Sequence, residues 1–302
     1  MKKFLLLLAV VFALNSRAAE TVVIYYGFSP ADSLASYGRS LAEEANRIQT
    51  RYVFLFDTKP GAGNTIAANY VKNTTNTILM TTSAFFVRPN FYPNESYDLN
   101  DFRELLPQCE TPFAISSTQY RSWSEVPRNQ SLNVGISGLG VTTHLIALQI
   151  MSRFPDLQPI PFKSTNDSVV SLLGGNIDFH LGFLSESETW ATDSATTKIH
   201  ILGITGSQII NHHSTLISQG FPSMLGAMSA PVHLVVPRTV LDSKFQDWKN
   251  ILSQATHADS VRKAYQVDHC QPINDMTDAE LNLWYTTQIE KWRKLSSGVR
   301  VN

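Results

Sequence analysis

The sequence predicts an α/β fold divided between two lobes, and three observations carry that expectation. Short β-branched or aromatic runs alternate with helical patterns along the chain. Taking residues 1–18 from the 302 as a leader leaves 284, more than a single hydrophobic core usually organises. Two of the runs lead into Gly-rich loops that open helices, a feature of strand C-termini in open α/β sheets. Alternation of this kind implies mixed, largely parallel sheets.

The strand-like runs are residues 21–26, 52–56, 77–81, 132–136, 177–181, 199–204 and 232–236. Between them, Leu34, Leu41, Ala45 and Ile48 fall on one helical face, as do Leu145, Leu148 and Met151. Phe245, Trp248, Leu252 and Ala255 form another apolar stripe. The last helix has the clearest start, because Thr277-Asp278-Ala279-Glu280 spells a capping box ahead of Leu281, Trp284, Ile289 and Trp292. Aromatic stripes at helical spacing are read as core.

The first residues set the compartment. Lys2 and Lys3 precede an apolar run from Phe4 to Leu14, and Ser16-Arg17-Ala18 offers small residues where a signal peptidase cuts. Eleven apolar residues are too few to span a bilayer, and no later segment is long enough. The chain is therefore expected to be exported and, once the leader is removed, not inserted in a membrane. Losing Lys2, Lys3 and Arg17 lowers Lys+Arg from 24 to 21 against 25 acids, so the net charge moves from −1 to −4. An acidic balance argues against nucleic acid and against a polybasic membrane surface. Cys109 and Cys270 are the two cysteines. In an oxidising compartment they can pair or stay apart, and spacing alone does not decide.

In open α/β sheets the binding crevice lies beyond the C-terminal ends of the strands. The loop after the first strand carries Phe28, Ser29 and Asp32, and the loop after the second carries Gly61, Ala62, Gly63 and Asn64. The third strand ends at Thr82 and Ser83. The later half supplies Ser137, Thr142, Thr143 and His144, then Lys163, then Gly182 and Phe183 beyond the strand at 177–181. Backbone amides at helix starts together with hydroxyls favour a bound carboxylate. No cofactor or metal is expected: His212-His213 has no carboxylate or cysteine at ligand spacing. Asp32 reads equally as a helix cap, Lys163 as a surface turn, and His144 as a structural histidine.

The residues also carry a family resemblance. Lys59-Pro60-Gly61-Ala62-Gly63, Ser137-Gly138-Leu139-Gly140 with Thr142, Thr143 and His144, and Pro161-Phe162-Lys163-Ser164 occur in order. Leu172-Leu173-Gly174-Gly175-Asn176-Ile177-Asp178 and Gly203-Ile204-Thr205 follow them. In that register the chain resembles the Bug-type solute receptors of tripartite tricarboxylate transporters. The resemblance implies a two-lobed periplasmic-binding-protein fold (type II, Venus flytrap) that closes on a small carboxylate and passes it to integral-membrane transporter subunits. It implies residues 19–117 and 231–302 in one lobe, 118–230 in the other, and ligand held by backbone amides, hydroxyls and water.

Two departures stand out. Gly27-Phe28-Ser29-Pro30-Ala31-Asp32 replaces the family's Pro-Gly-Gly turn, and Pro30 removes a donor. Gly182 stands where many members place an Asp that selects amino-bearing ligands, which puts that route of amino-acid recognition in doubt. An exported α/β hydrolase is the alternative of another class. However, Gly135-Ile136-Ser137-Gly138-Leu139 lacks the final Gly of a nucleophile elbow. The same receptor fold used for sensing or sequestration is a third reading.

Overall fold

Val22 and Ile24 are fully buried with Tyr25 and Tyr26 beside them, so β1 (Glu20–Tyr26) is covered on both faces. In this computed structural model, which describes residues 19–94, 97–193, 199–273 and 275–298, β1 lies inside a six-stranded sheet. The expected leader, residues 1–18, lies outside the described residues. β1 pairs in parallel with β2 (Tyr52–Thr58) and β3 (Thr77–Thr81), in the registers Glu20↔Tyr52 and Val23↔Thr77. β10 (Ala230–Pro237) runs antiparallel between β3 and β4 (Phe102–Thr111), and β11 (Gln271–Pro272) closes the far edge.

Strand β2 is the other edge, and its alternation shows it: Tyr52 and Phe54 are buried while Val53 and Leu55 are exposed. Helix α1 (Ser33–Ile48) buries Leu34, Leu41 and Ala45 at helical spacing. Its Asn46 covers the open edge of β2, donating to the Phe54 carbonyl at 2.8 Å and accepting from the Phe54 N–H at 2.7 Å.

The chain leaves this sheet at Pro112. β5 (Phe113–Ser117) pairs antiparallel with β8 (Phe179–Phe183) and β9 (His200–Ile204) in a five-stranded sheet of order β7-β6-β8-β5-β9. β6 (Leu132–Ile136) is parallel to β7 (Leu157–Pro161) and to β8. In each sheet most strands share one direction; β10 and the short β11 oppose them in the first sheet, and β5 does so in the second. Residues 113–117 were expected in the first lobe, yet every ladder bond of β5 is made in the second sheet.

Between the strands of the second sheet lie α4 (Thr142–Ile150), α5 (Thr165–Leu173) and α6 (Leu184–Asp193). The first sheet carries α2 (Thr65–Lys72), α3 (Ala84–Phe91), α7 (Asp242–Thr256), α8 (Asp259–Val267) and α9 (Asp278–Ser296). The Thr277–Glu280 capping box forms with both reciprocal bonds, and α9 then buries Leu281, Tyr285 and Trp292 against α3 and β4. Cys109 and Cys270 are bonded, tying β4 to the segment after α8. Within the same sheet, Glu104 and His233 form a fully buried pair at 2.9 Å.

Candidate functional site

The loops that follow β1, β2, β3, β6 and β7 all lie at strand C-termini, and they meet where the two lobes face each other. They enclose an open cavity of about 770 Å³ lined by Phe28, Ser29, Gly61, Ala62, Gly63, Ser137 and Lys163 of the expected residues. Arg88, Tyr92, Gly138 and Leu139 complete much of its wall. A narrow inner chamber of about 20 Å³ opens beside it, enough for one water-sized group. Phe28, Asp32, Thr82, Ser137, Thr142, Thr143 and Phe183 line the chamber, and Phe28 and Ser137 line both spaces. Asn64, Ser83, His144 and Gly182 line neither.

Left-handed backbone shapes the first Gly-rich loop. Gly61, Ala62, Gly63 and Asn64 take φ of 130°, 47°, 57° and 82° in succession, so the helix start expected there is preceded by a tight reversed turn. Asn64 is fully buried and structural. Its Nδ2 donates to the Thr81 hydroxyl at 2.9 Å, and its side chain fills the space that a Cβ on Gly27 would need. In the second Gly-rich loop the N–H groups of Gly138 and Leu139 have no protein acceptor among the described residues.

The hydroxyls expected at the site pair with one another. Ser83 and Thr142 bond across the lobes at 2.7 Å, while Thr143 accepts from the Ser137 N–H at 3.1 Å and bonds the Ser137 hydroxyl at 3.0 Å. His144 Nδ1 accepts from the Gly140 N–H at 3.0 Å, and burial pulls its pKa down, so the neutral ring holds the loop. The Ser137 hydroxyl thus meets Thr143 rather than a histidine base. Lys163 is exposed at the cavity rim.

Arg88 escaped the sequence reading. It is nearly buried, lies over the Tyr92 ring at 3.8 Å, and donates to the Leu139 carbonyl of the other lobe at 2.6 Å. A lone cation directly after the apolar stretch Ala84-Phe85-Phe86-Val87 was the available signal.

Acidic groups gather at the chamber. Asp32 occupies the N-cap position of α1 but makes no side-chain cap bond, and its Oδ1 is buried with no partner. Burial pushes its pKa up to about 7, against opposing hydrogen bonds from Ser29 and Thr165. Glu186 of α6 accepts from the Thr165 hydroxyl at 2.5 Å and from the Phe183 N–H at 2.9 Å. Burial, then the nearby Asp32 charge, raises it to about 8. β8 continues to Phe183, so Gly182 is a strand residue rather than the loop residue expected, and it points to no ligand space. A Cβ there would lie 2.5 Å from both Glu186 Oε2 and His180 Nε2.

A model of the tripartite tricarboxylate transporter family receptor matches residues 38–298. The chain belongs to that family. Among solved structures, the receptor is similar to a periplasmic transporter at 18% identity and TM-score 0.83, covering 94% of this chain and 98% of that one. It is similar to the periplasmic binding protein BugD at 17% identity and TM-score 0.82, covering 92% and 96%. MatC from Rhodopseudomonas palustris with bound malate is similar at 17% identity and TM-score 0.78, covering 91% and 98%. At these identities the likeness establishes the two-lobed fold. No curated protein matches the sequence. Among the described residues no helix of the receptor is long and apolar enough to cross a membrane.

Proposed function

We propose that this receptor is exported to the periplasm by its N-terminal leader, binds a small carboxylate between its lobes, and delivers it to membrane transporter subunits. One observation carries the reading: loops at the strand ends of both sheets converge on a single cavity, with the N–H groups of Gly138 and Leu139 unbonded at its wall. Such groups are suited to a carboxylate, each charge-assisted bond contributing about 1.5–3 kcal/mol. Family membership and the malate and adipate held by similar structures support the same ligand class. The lobes we propose follow the sheets, with the first crossing at Pro112 rather than after residue 117, and the second near Ala230. Ligand contacting both lobes favours the closed arrangement.

A thermal-shift screen of small carboxylic acids tests the proposal. A binding acid at 100 times its Kd stabilises the protein by about 2.7 kcal/mol. Scattering with that acid should give a smaller radius of gyration than without it. No shift with mono-, di- or tricarboxylates would overturn the reading.

A further inference from the structure

Arg88 carries a charge that its surroundings do not balance. It is only 9% exposed, and among the described residues no carboxylate pairs with it. Among the same residues its one hydrogen bond runs from Nη1 to the Leu139 carbonyl, and its Nε is buried with no partner. A guanidinium has five N–H donors and keeps its charge in proteins, so most of these donors stand idle. The Leu139 carbonyl and the Tyr92 ring offer partial negative charge, which orients the group without neutralising it. Buried charges are ordinarily paired.

The surroundings make room for this cation at the seam between the lobes. Arg88 lies in the last turn of α3 with Tyr92 four residues on, the spacing at which helical side chains meet. Both Gly-rich loops leave space beside it. A Cβ on Gly140 would lie 3.2 Å from Nη1 and 2.3 Å from the Tyr92 ring, and one on Gly63 would lie 3.5 Å from Nη1. Arg88 forms part of the outer cavity wall, with the unbonded N–H groups of Gly138 and Leu139 in that same wall. The other charged residues of the wall, Lys163 and Asp167, are exposed and opposite in sign. Arg88 is left as the uncompensated charge of the cavity.

We infer that Arg88 is the charge partner of the bound acid and sets the receptor's preference for an anion over a neutral molecule of the same shape. One carboxylate oxygen meets the idle edge of the guanidinium, and the other faces the amides of Gly138 and Leu139. The bond to the Leu139 carbonyl holds Arg88 beside those amides, so one anion serves both sets of donors. Water leaving the seam as the lobes close strengthens the pair. Closure without an anion strands a bare cation instead. Arg88 thus favours closing on a charged ligand and opposes closing on none. The inference rests on the carboxylate-receptor reading and adds to it the residue that selects for charge.

Calorimetry with acids and their amides tests it: malate against malamide, adipate against adipamide, and benzoate against benzamide. Any acid that raises the melting temperature in the thermal-shift screen joins the set with its amide. At least one acid should bind, and its amide should bind weaker on the order of a hundredfold. Arg88→Gln, which keeps a donor for Leu139, should weaken the acid by a similar factor and leave the amide nearly unchanged. Arg88→Lys keeps the charge and should restore part of the discrimination. A residue that only ties the lobes together would lower acid and amide alike. That result, or an amide binding the unaltered receptor as tightly as its acid, overturns the inference and leaves the receptor reading standing. The second of these measurements needs no variant. Absence of binding by every acid of the set and the screen overturns both.

Discussion

Gly63→Ala separates the cost of shaping a loop from the cost of closing the cleft. Gly63 holds φ 57° and ψ 45°, a left-handed conformation that costs an L-residue about 1–2 kcal/mol. That penalty is present whether the lobes are together or apart. At about 2 °C per kcal/mol for a chain of this size, it lowers Tm by about 2–4 °C. A Cβ at Gly63 would also lie 2.6 Å from Val141 Cγ1 of the opposite lobe, where ordinary contact begins at 3.4 Å. The loops must therefore separate by roughly the 0.8 Å difference, and overpacking of this kind costs about 1–3 kcal/mol. Only the closed state bears it, so affinity for a binding acid should fall about 5- to 150-fold. Calorimetry and thermal melts on Gly63→Ala, Val141→Ala and the double variant isolate the contribution. On the Val141→Ala background the affinity loss should largely vanish, while the Tm loss from the backbone remains. An equal affinity loss on both backgrounds would refute the idea that these loops approach each other around the ligand.

Two further outcomes follow from the same geometry. Reducing the Cys109–Cys270 bond, which spans 161 residues of sequence, frees a loop worth about 5 kcal/mol in the chain-entropy model and more usually about 2–4 kcal/mol. Neither cysteine lines the cavity or the chamber, so Tm should drop in reductant while ligand affinity stays within twofold, read by melts and calorimetry. Asp32 and Glu186 take folded pKa values of about 7 and about 8, above the ordinary carboxylate range. The native state then holds the extra protons, so the stability they give is complete at low pH and is lost as pH rises through those values. Each group contributes a slope of about 1.4 kcal/mol per pH unit within its window. Melting between pH 5 and 9 should show this fall, the Asp32→Asn/Glu186→Gln protein should show much less, and equal profiles would sink the assignment.

The sequence disclosed what local chemistry decides. Thr277 and Glu280 bound each other as their spacing required, and Leu34, Leu41 and Ala45 faced inward on α1. The Gly-rich loops fell at strand ends around one cavity. Strand β4 went unread because Phe102-Arg103-Glu104-Leu105-Leu106-Pro107 mixes charge and Pro with apolar residues, hiding the period of two. Glu104 is polar in sequence yet buried, since His233 from a strand far along the chain partners it. For β8 the short apolar run permitted a frame two residues early, which cast Gly182 as a loop residue. Asp32, Thr165 and Glu186 belong to three separate elements, so their meeting is a product of lobe contact that no local pattern encodes.

Strand β10 has a bearing on the order in which the molecule can be assembled. All five strands of the second sheet lie between Phe113 and Ile204, so that sheet is fully encoded before β10 emerges. The first sheet, begun earlier, waits for residues 230–237 to fill the gap between β3 and β4. Until then two strand edges stand bare, a state prone to pairing with other chains. A chain ending between Ile204 and Ala230 keeps the strands of the later-encoded lobe and loses the seam of the earlier one. The half of the receptor made first is therefore the half finished last.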